Sequence, residues 1–273
     1  MDHPLNKRVR YFFSTRYRHR SEVHETLGEF NSMGRVAAVG GMLRDLALFG
    51  NRSFCSDIDL VIAPHDLDEF TACMRRRGGV RNRFGGYALP SKKWRIDVWA
   101  LPTTWAHVQG HVTVKSLEDI KRTTFFDCDA ILYDFSDRRL KFDNDYFEKL
   151  HERTININLL PNPNPIGNAV RAFRYAMLKN LRWGPDLTCF VAEMVEEYGW
   201  TTLAQNEKKS FNTCCIEVLD KQKFRSALVG YLSNKTSESF APACFVGGWQ
   251  LSLPLDNPAI TNFSNSPRKQ AAV

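Results

Sequence analysis

Asp57-Ile58-Asp59-Leu60-Val61-Ile62 is the segment that most limits how this chain can fold. Alternation and β-branching predict a strand there, closed by Pro64. Side chains at i and i+2 share a face, so Asp57 and Asp59 point one way while Ile58 and Leu60 pack behind. Two like charges held together repel unless a cation lies between them. Hard Mg²⁺ or Mn²⁺ suits a carboxylate pair that also meets phosphate oxygens. Upstream, Arg35–Val39 reads as a short strand that ends at Gly40-Gly41, where a helix over Met42–Phe49 begins. Glycine lets backbone approach an anion, and a helix N-terminus supplies N–H groups and a favourable dipole. Arg95-Ile96-Asp97-Val98-Trp99 brings a third carboxylate on a second strand, over Trp94–Leu101. Three carboxylates behind a glycine turn are the equipment for two-metal nucleotidyl transfer from an NTP.

The remaining pattern frames these elements. Residues 5–30 read as one helix, with Val9, Phe12, Phe13, Val23, Leu27 and Phe30 on its apolar face. His65-Asp66 caps a helix running to about Arg77. Leu117–Arg122 is a short helix or turn, Phe125–Phe135 a strand region, and Asp134–Asp145 a hairpin. Pro161, Pro163 and Pro165 forbid helix and mark a boundary. Helical patterns follow over Ile166–Leu181, Leu187–Tyr198 and about Phe211–Leu232. The expected organisation is a basic helix over 1–30, an α+β head over 31–160, a helical domain over 161–235 and an irregular tail over 236–273. The head is a mixed, partly antiparallel sheet with helices on one side. Ser264–Val273 reads as disordered.

No run of eighteen apolar residues occurs, and the first twenty residues are basic without an apolar core, so neither a membrane span nor a secretory signal is expected. The seven cysteines are odd in number and form no CxxC, which argues against a disulfide framework or a zinc knuckle. Reduced thiols in a cytoplasmic protein are the expectation. The net charge of +7 favours an anionic partner, and the excess is local: Arg75, Arg76, Arg77, Arg81 and Arg83, then Lys92, Lys93 and Arg95. Arg75, Arg76 and Arg77 are candidates for tracking an acceptor backbone, or are the wet end of a helix. Trp94, Trp99 and Trp105 offer stacking surfaces or core; His107 and His111 read as loop residues.

Val39-Gly40-Gly41-Met42-Leu43-Arg44-Asp45, a loop of fifteen residues, and Asp57-Ile58-Asp59-Leu60-Val61-Ile62 together resemble the head-domain signature of the poly(A) polymerase and tRNA CCA-adding family, within the polymerase-β-type nucleotidyltransferases. The resemblance covers about residues 35–180 and weakens along the chain. Phe126 and Ala130 align with the family stretch RRDFTxNA, but Thr123, Thr124 and Phe125 stand where Arg-Arg-Asp is expected and Asp129 replaces the Asn. Ala169–Tyr175 looks like the family helix whose arginines face the nucleotide.

The resemblance implies that Gly40 and Gly41 cradle a triphosphate, Arg44 contacts phosphate or sugar, and Asp45 fixes that arginine or the ribose edge. It implies that Asp57 and Asp59 ligate two metals, that Asp97 is a third ligand acting on the acceptor hydroxyl, and that Arg171 and Arg174 contact the nucleotide. ATP or CTP is the expected donor. An RNA 3′ end, or a hydroxyl on a protein, small molecule or nucleotide, is the expected acceptor. Plainer readings stand beside these: Arg44-Asp45 as a surface pair, Asp97 as a strand-end charge, Arg171 and Arg174 as a solvated face. The competing functional class is a nucleotide- or RNA-binding module without turnover.

Overall fold

The computed structural model describes residues 3–14, 20–51, 56–82, 84–212, 214–234 and 238–246. Arg16, Tyr17, Arg18, Cys55, Arg83 and the tail expected to be disordered lie outside them. The described residues of Met1–Tyr146 with Asn158–Pro161 form one compact unit, and those of Phe147–Ile157 with Asn162–Val273 a second. The boundary therefore assigns 147–157 to the helical unit, where the sequence pattern put it with the sheet.

In the first unit, the expected single helix over 5–30 is two: α1 (Pro4–Ser14) and α2 (Arg20–Met33). The His24 ring lies 3.2 Å from the Phe13 carbonyl oxygen. In one continuous helix those residues would stand about 16 Å apart. The strands and helices that follow are β1 (Gly34–Val39), α3 (Gly41–Phe49), β2 (Ile58–Pro64) and α4 (Leu67–Arg76). Then come β3 (Val80–Arg81), β4 (Tyr87–Leu89), β5 (Ile96–Ala100), α5 (Trp105–Val108), β6 (Leu132–Asp134) and β7 (Arg139–Lys141). Asp66 caps α4 as its sequence suggested, accepting from Asp68 N at 2.7 Å and Glu69 N at 3.1 Å. The strand expected over Phe125–Phe135 is instead a 3-10 turn, Asp127–Asp129, followed by the three residues of β6.

Seven strands form a mixed sheet in the order β3-β4-β5-β2-β1-β6-β7, the α+β architecture the sequence implied. Every neighbouring pair is antiparallel except β2 and β5. Register makes the two faces distinct. Ala38, Leu60, Val98 and Tyr133 share one face; α1 and α4 cover it through Phe13 on Phe135 and Phe70 on Tyr87. The other face is covered mainly by short turns and connecting segments. Ala37, Val39, Val61 and Leu132 there pack with Leu101, Ala106 of α5, Val112, Val114, and Leu117 and Ile120 of a 3-10 turn. Trp99 and Trp105 lean on this cluster, which accounts for both as packing residues. Trp94 is buried against Phe12.

The second unit begins with α6 (Tyr146–His151), which carries the changeover in the chain, and β8 (Thr154–Ile155). Next come α7 (Pro165–Lys179), β9 (Arg182–Trp183), α8 (Pro185–Phe211) and α9 (Lys221–Ser233). Asn164 caps α7, accepting from Gly167 N at 3.2 Å, with Pro165 at its first position. The helix expected to stop at Tyr198 does break next to it, at the non-helical Gly199 (φ 73°), and a second helical stretch, not expected, runs on to Phe211. The next one starts ten residues later than Phe211, at Lys221, because Asp220 caps it there. Trp183, fully buried, donates from Nε1 to Ala172 O at 3.1 Å and packs with Phe173, Phe224 and Phe240.

A buried charge closes this unit. Glu207 on α8 has no exposure; Oε1 accepts from Arg174 Nη1 at 2.9 Å and Oε2 from Ile216 N at 3.0 Å. Removing one member of such a pair strands the other, whereas replacing both with apolar groups is far milder. Glu207→Gln is expected to cost about 3 kcal/mol in urea unfolding followed by tryptophan fluorescence. Arg174→Met combined with Glu207→Leu should cost less than either single change.

Candidate active site

The geometry at the centre of the sheet follows from register. One row across the shared face runs Leu132, Val39, Asp59, Asp97 and Ala88. Leu132 and Val39 belong to the packed cluster; Asp59 and Asp97 begin where that cluster ends. Because β2 and β5 are parallel and in register, their side chains at 59 and 97 lie side by side on one face. Asp59 is half-buried and Asp97 is 7% exposed. Asp57 stands one residue before β2 and is exposed.

On the other side of Asp59, β1 runs into Gly40. This residue has φ 72° and ψ −136°, a region open in practice to glycine alone, and its N–H donates to Ile131 O at 3.0 Å. A Cβ there would lie 4.0 Å from Asp59 Oδ2 and 3.9 Å from Asp129 O. Gly40 is also the N-cap of α3, and the described residues provide no side-chain cap. The helix N-terminus, with its positive dipole end, therefore opens beside the Asp59 carboxylate.

Arg44, expected to meet phosphate or sugar, is turned inward instead. It is 2% exposed; Nε donates to Asp45 Oδ1 at 2.9 Å and Nη1 to Asp129 Oδ1. Its Nη2 lies 3.2 Å from where a Cβ on Gly41 would be, so the arginine underpins the turn from inside. Asp45 holds Arg44, and it is no surface pair. Asp129 is the partner that sequence reasoning missed, although its signal was present: a carboxylate where the related stretch has an amide. The Asp127–Asp129 turn is itself pinned, since Tyr146 OH donates to Cys128 O at 2.9 Å. Burial drives the Cys128 thiol and the Tyr146 phenol well above their ordinary pKa values, with Asp129 adding to both.

Arg95 is the second residue whose role was missed. Read from sequence it belonged to the basic stripe; in the fold its Nε sits 3.0 Å from Oδ1 and 2.8 Å from Oδ2 of Asp97. Strand alternation alone puts 95 and 97 on one face. Burial lowers the guanidinium pKa, but Asp97, then Asp57 and Asp59, outweigh it and raise the group above an ordinary arginine. All three candidate carboxylates thus act on one cation. Among the described residues, no group of three or more His, Cys, Asp or Glu side chains is arranged to hold a metal ion. Asp97, expected as a third ligand, is ion-paired with Arg95.

The other expected residues divide. Arg75 and Arg76 are exposed at the end of α4, but Arg77 donates to Glu29 and, at 2.7 Å, to Thr26. It also lies over the Phe30 ring, which makes it a packing residue and not an open backbone contact. In the second unit, Arg171 donates to Asn168, and Arg174 is committed to Glu207 and stacks 4.0 Å from the Phe211 ring centroid. His107, expected in a loop, lies instead in α5 and accepts from Val114 N at 3.2 Å, while His111 lies in the loop after it, against Trp105.

Among solved structures, the Thermotoga maritima CCA-adding enzyme complexed with tRNA is similar in fold: 21% identity, TM-score 0.51, over 72% of this chain and 48% of that one. A tRNA-processing enzyme in its apo form shares 18% identity over 88% of this chain and 60% of that one, with a TM-score of 0.48. A CCA-adding enzyme complexed with ATP shares 21% over 78% and 50%, also at 0.48. This chain spans 48–60% of the length of these neighbours. No protein-family model and no curated protein matches it.

The buried Arg44 pairs yield a test. Arg44→Met leaves two partly or fully buried carboxylates without their cation and is expected to destabilise the sheet unit by about 3–5 kcal/mol in chemical denaturation. Adding Asp129→Asn should recover part of that loss. Additive single effects would mean that the pair is not coupled.

Proposed function

We propose that this chain is a nucleotidyltransferase that transfers a nucleoside monophosphate from ATP or CTP to a hydroxyl, with an RNA 3′ end as the favoured acceptor. The observation that carries this reading is the in-register pairing of Asp59 with Asp97, one strand away from the Gly40 turn. The mixed sheet shared with a CCA-adding enzyme supports it at the level of fold. CTP, ATP and tRNA are what the similar solved structures are complexed with, and they motivate the choice of donor and acceptor.

Asp57 and Asp59 fit a hard divalent cation as oxygen ligands two residues apart on one edge. Mg²⁺ or Mn²⁺ held there would supply positive charge against phosphate oxygens during transfer. The third ligand expected from sequence, Asp97, does not fit while both its oxygens are on Arg95.

The chain's own groups do the rest of the work in this reading. The Gly40–Gly41 backbone and the N-terminus of α3 receive the triphosphate, because no Cβ intervenes and N–H groups point outward. Arg44, Asp45 and Asp129 hold that turn in shape before the nucleotide arrives. Asp97 accepts a hydrogen bond from the acceptor hydroxyl and so orients its oxygen toward phosphorus. Arg171 is the α7 residue assigned to the nucleotide, whereas Arg174 serves the fold. Arg75 and Arg76 attract the acceptor backbone.

Labelled ATP or CTP, Mg²⁺ and total RNA test the proposal. The wild type should label an acceptor, and Asp57→Ala or Asp59→Ala should lower the rate by about a thousandfold or more. Equal labelling by wild type and both variants ends the reading. The engagement of Asp97 by Arg95 favours, as a second reading, a binding module: NTP bound without transfer to RNA, protein or small molecules would select it. Changing Arg75 and Arg76 to Ala should reduce the slope of log affinity for RNA against log salt by about 2.

A further inference from the structure

A carboxylate 7% exposed in the middle of a sheet needs a permanent positive partner. Asp97 lies between β4 and β2, paired in register with Ala88 on one side and Asp59 on the other. Arginine suits this position better than lysine would, since its guanidinium keeps its charge when buried. The contact is also specific. Nε reaches both oxygens of the carboxylate, at 3.0 and 2.8 Å, on the side where a divalent ion would chelate them.

Arg95 is rooted firmly. Its carbonyl accepts from Ile58 N at 2.8 Å, so its backbone is stapled to the start of β2, one residue from Asp57 and from Asp59. A second cation at Asp97 would have to displace the guanidinium.

We propose that Arg95 is a positioning residue that occupies Asp97 as its resident cation, keeps it out of the metal ligand set, and leaves Asp57 and Asp59 to hold a single divalent ion. This rests on the reading that Asp57 and Asp59 bind that ion, and it separates Asp97 from them in role. Asp57 and Asp59 answer to the cation, while Asp97 answers to Arg95 and to whatever hydroxyl is brought to its face.

Mn²⁺ binding to the full chain without nucleotide, followed by the electron paramagnetic resonance signal of free Mn²⁺, reads this directly and does not depend on turnover. Asp57→Asn should weaken binding about tenfold or more, whereas Arg95→Met with Asp97→Asn, which removes one charge of each sign, should stay within about twofold of wild type. Arg95→Met frees Asp97 to join the ion and should tighten binding about tenfold, a gain lost again in Arg95→Met with Asp97→Asn. Arg95→Lys keeps the charge and should remain near wild type. A tenfold loss in Arg95→Met with Asp97→Asn, or no gain in Arg95→Met, overturns the inference while leaving the ion at Asp57 and Asp59. Unchanged binding in Asp57→Asn overturns the metal reading and this inference with it. Should Arg95→Met alone fail to fold, the double variant Arg95→Met with Asp97→Asn, which strands no charge, still decides when compared with wild type.

Discussion

Two aspartates side by side on parallel neighbouring strands are the constraint on which the rest of the sheet unit turns. Asp59 and Asp97 share a face by register, and partial burial strengthens their mutual repulsion. Most sheets avoid such a row or fill it with apolar residues. Here Leu132 and Val39 fill their half, and the acidic half is balanced by Arg95, which enters from the residue two before Asp97. The parallel pairing is the only such pair among the seven strands, so the juxtaposition depends on one crossover, from β2 through α4, β3 and β4 to β5. A shift of that register by one residue would send Asp97 to the opposite face, beside Leu60, where no charge belongs.

The glycine turn solves a related problem by different means. Gly40 must bend with positive φ close to both Asp59 and the Asp129 carbonyl, and no side chain can brace it from outside. The brace comes from within, as Arg44 buried between Asp45 and Asp129. An arginine that is hidden cannot also greet a substrate. The two arginines nearest the site therefore act on the protein's own carboxylates, and the proposed reading leaves phosphate to the backbone N–H groups at the start of α3.

Much of this was legible in the sequence where a short period governs a short element. Period-two alternation in Asp57–Ile62 and Arg95–Trp99 identified the strands, and adjacent glycines identified the turn, because those patterns need no distant partner to be read. Asp66 and Asn164 marked helix starts by local hydrogen bonding. What failed depended on contacts across the fold. The helix over 5–30 breaks because His24 returns to Phe13. The strand expected over 125–135 yields to a turn pinned by Tyr146. Arg44 and Arg174 looked available because their carboxylate partners stand 85 and 33 residues away. Arg95 was the exception: its partner is two residues on, and only its place in a basic stretch concealed it.

The same logic reinterprets the positive net charge. Arg35, Arg44, Arg77, Arg95 and Arg174 each lie against a carboxylate, so the surplus of +7 resides on other side chains. Within the stretch that looked uniformly basic, Arg77 and Arg95 are consumed by Glu29 and Asp97, while Arg75, Arg76 and Arg81 remain exposed. The field an approaching polyanion meets there is set by the exposed group, and it is screened over about 10 Å in ordinary salt. Arg95, by contrast, works at contact distance in a half-buried setting where salt screens little. The two sets of arginines should therefore respond oppositely to ionic strength: attraction at α4 fades as salt rises, while the grip on Asp97 persists.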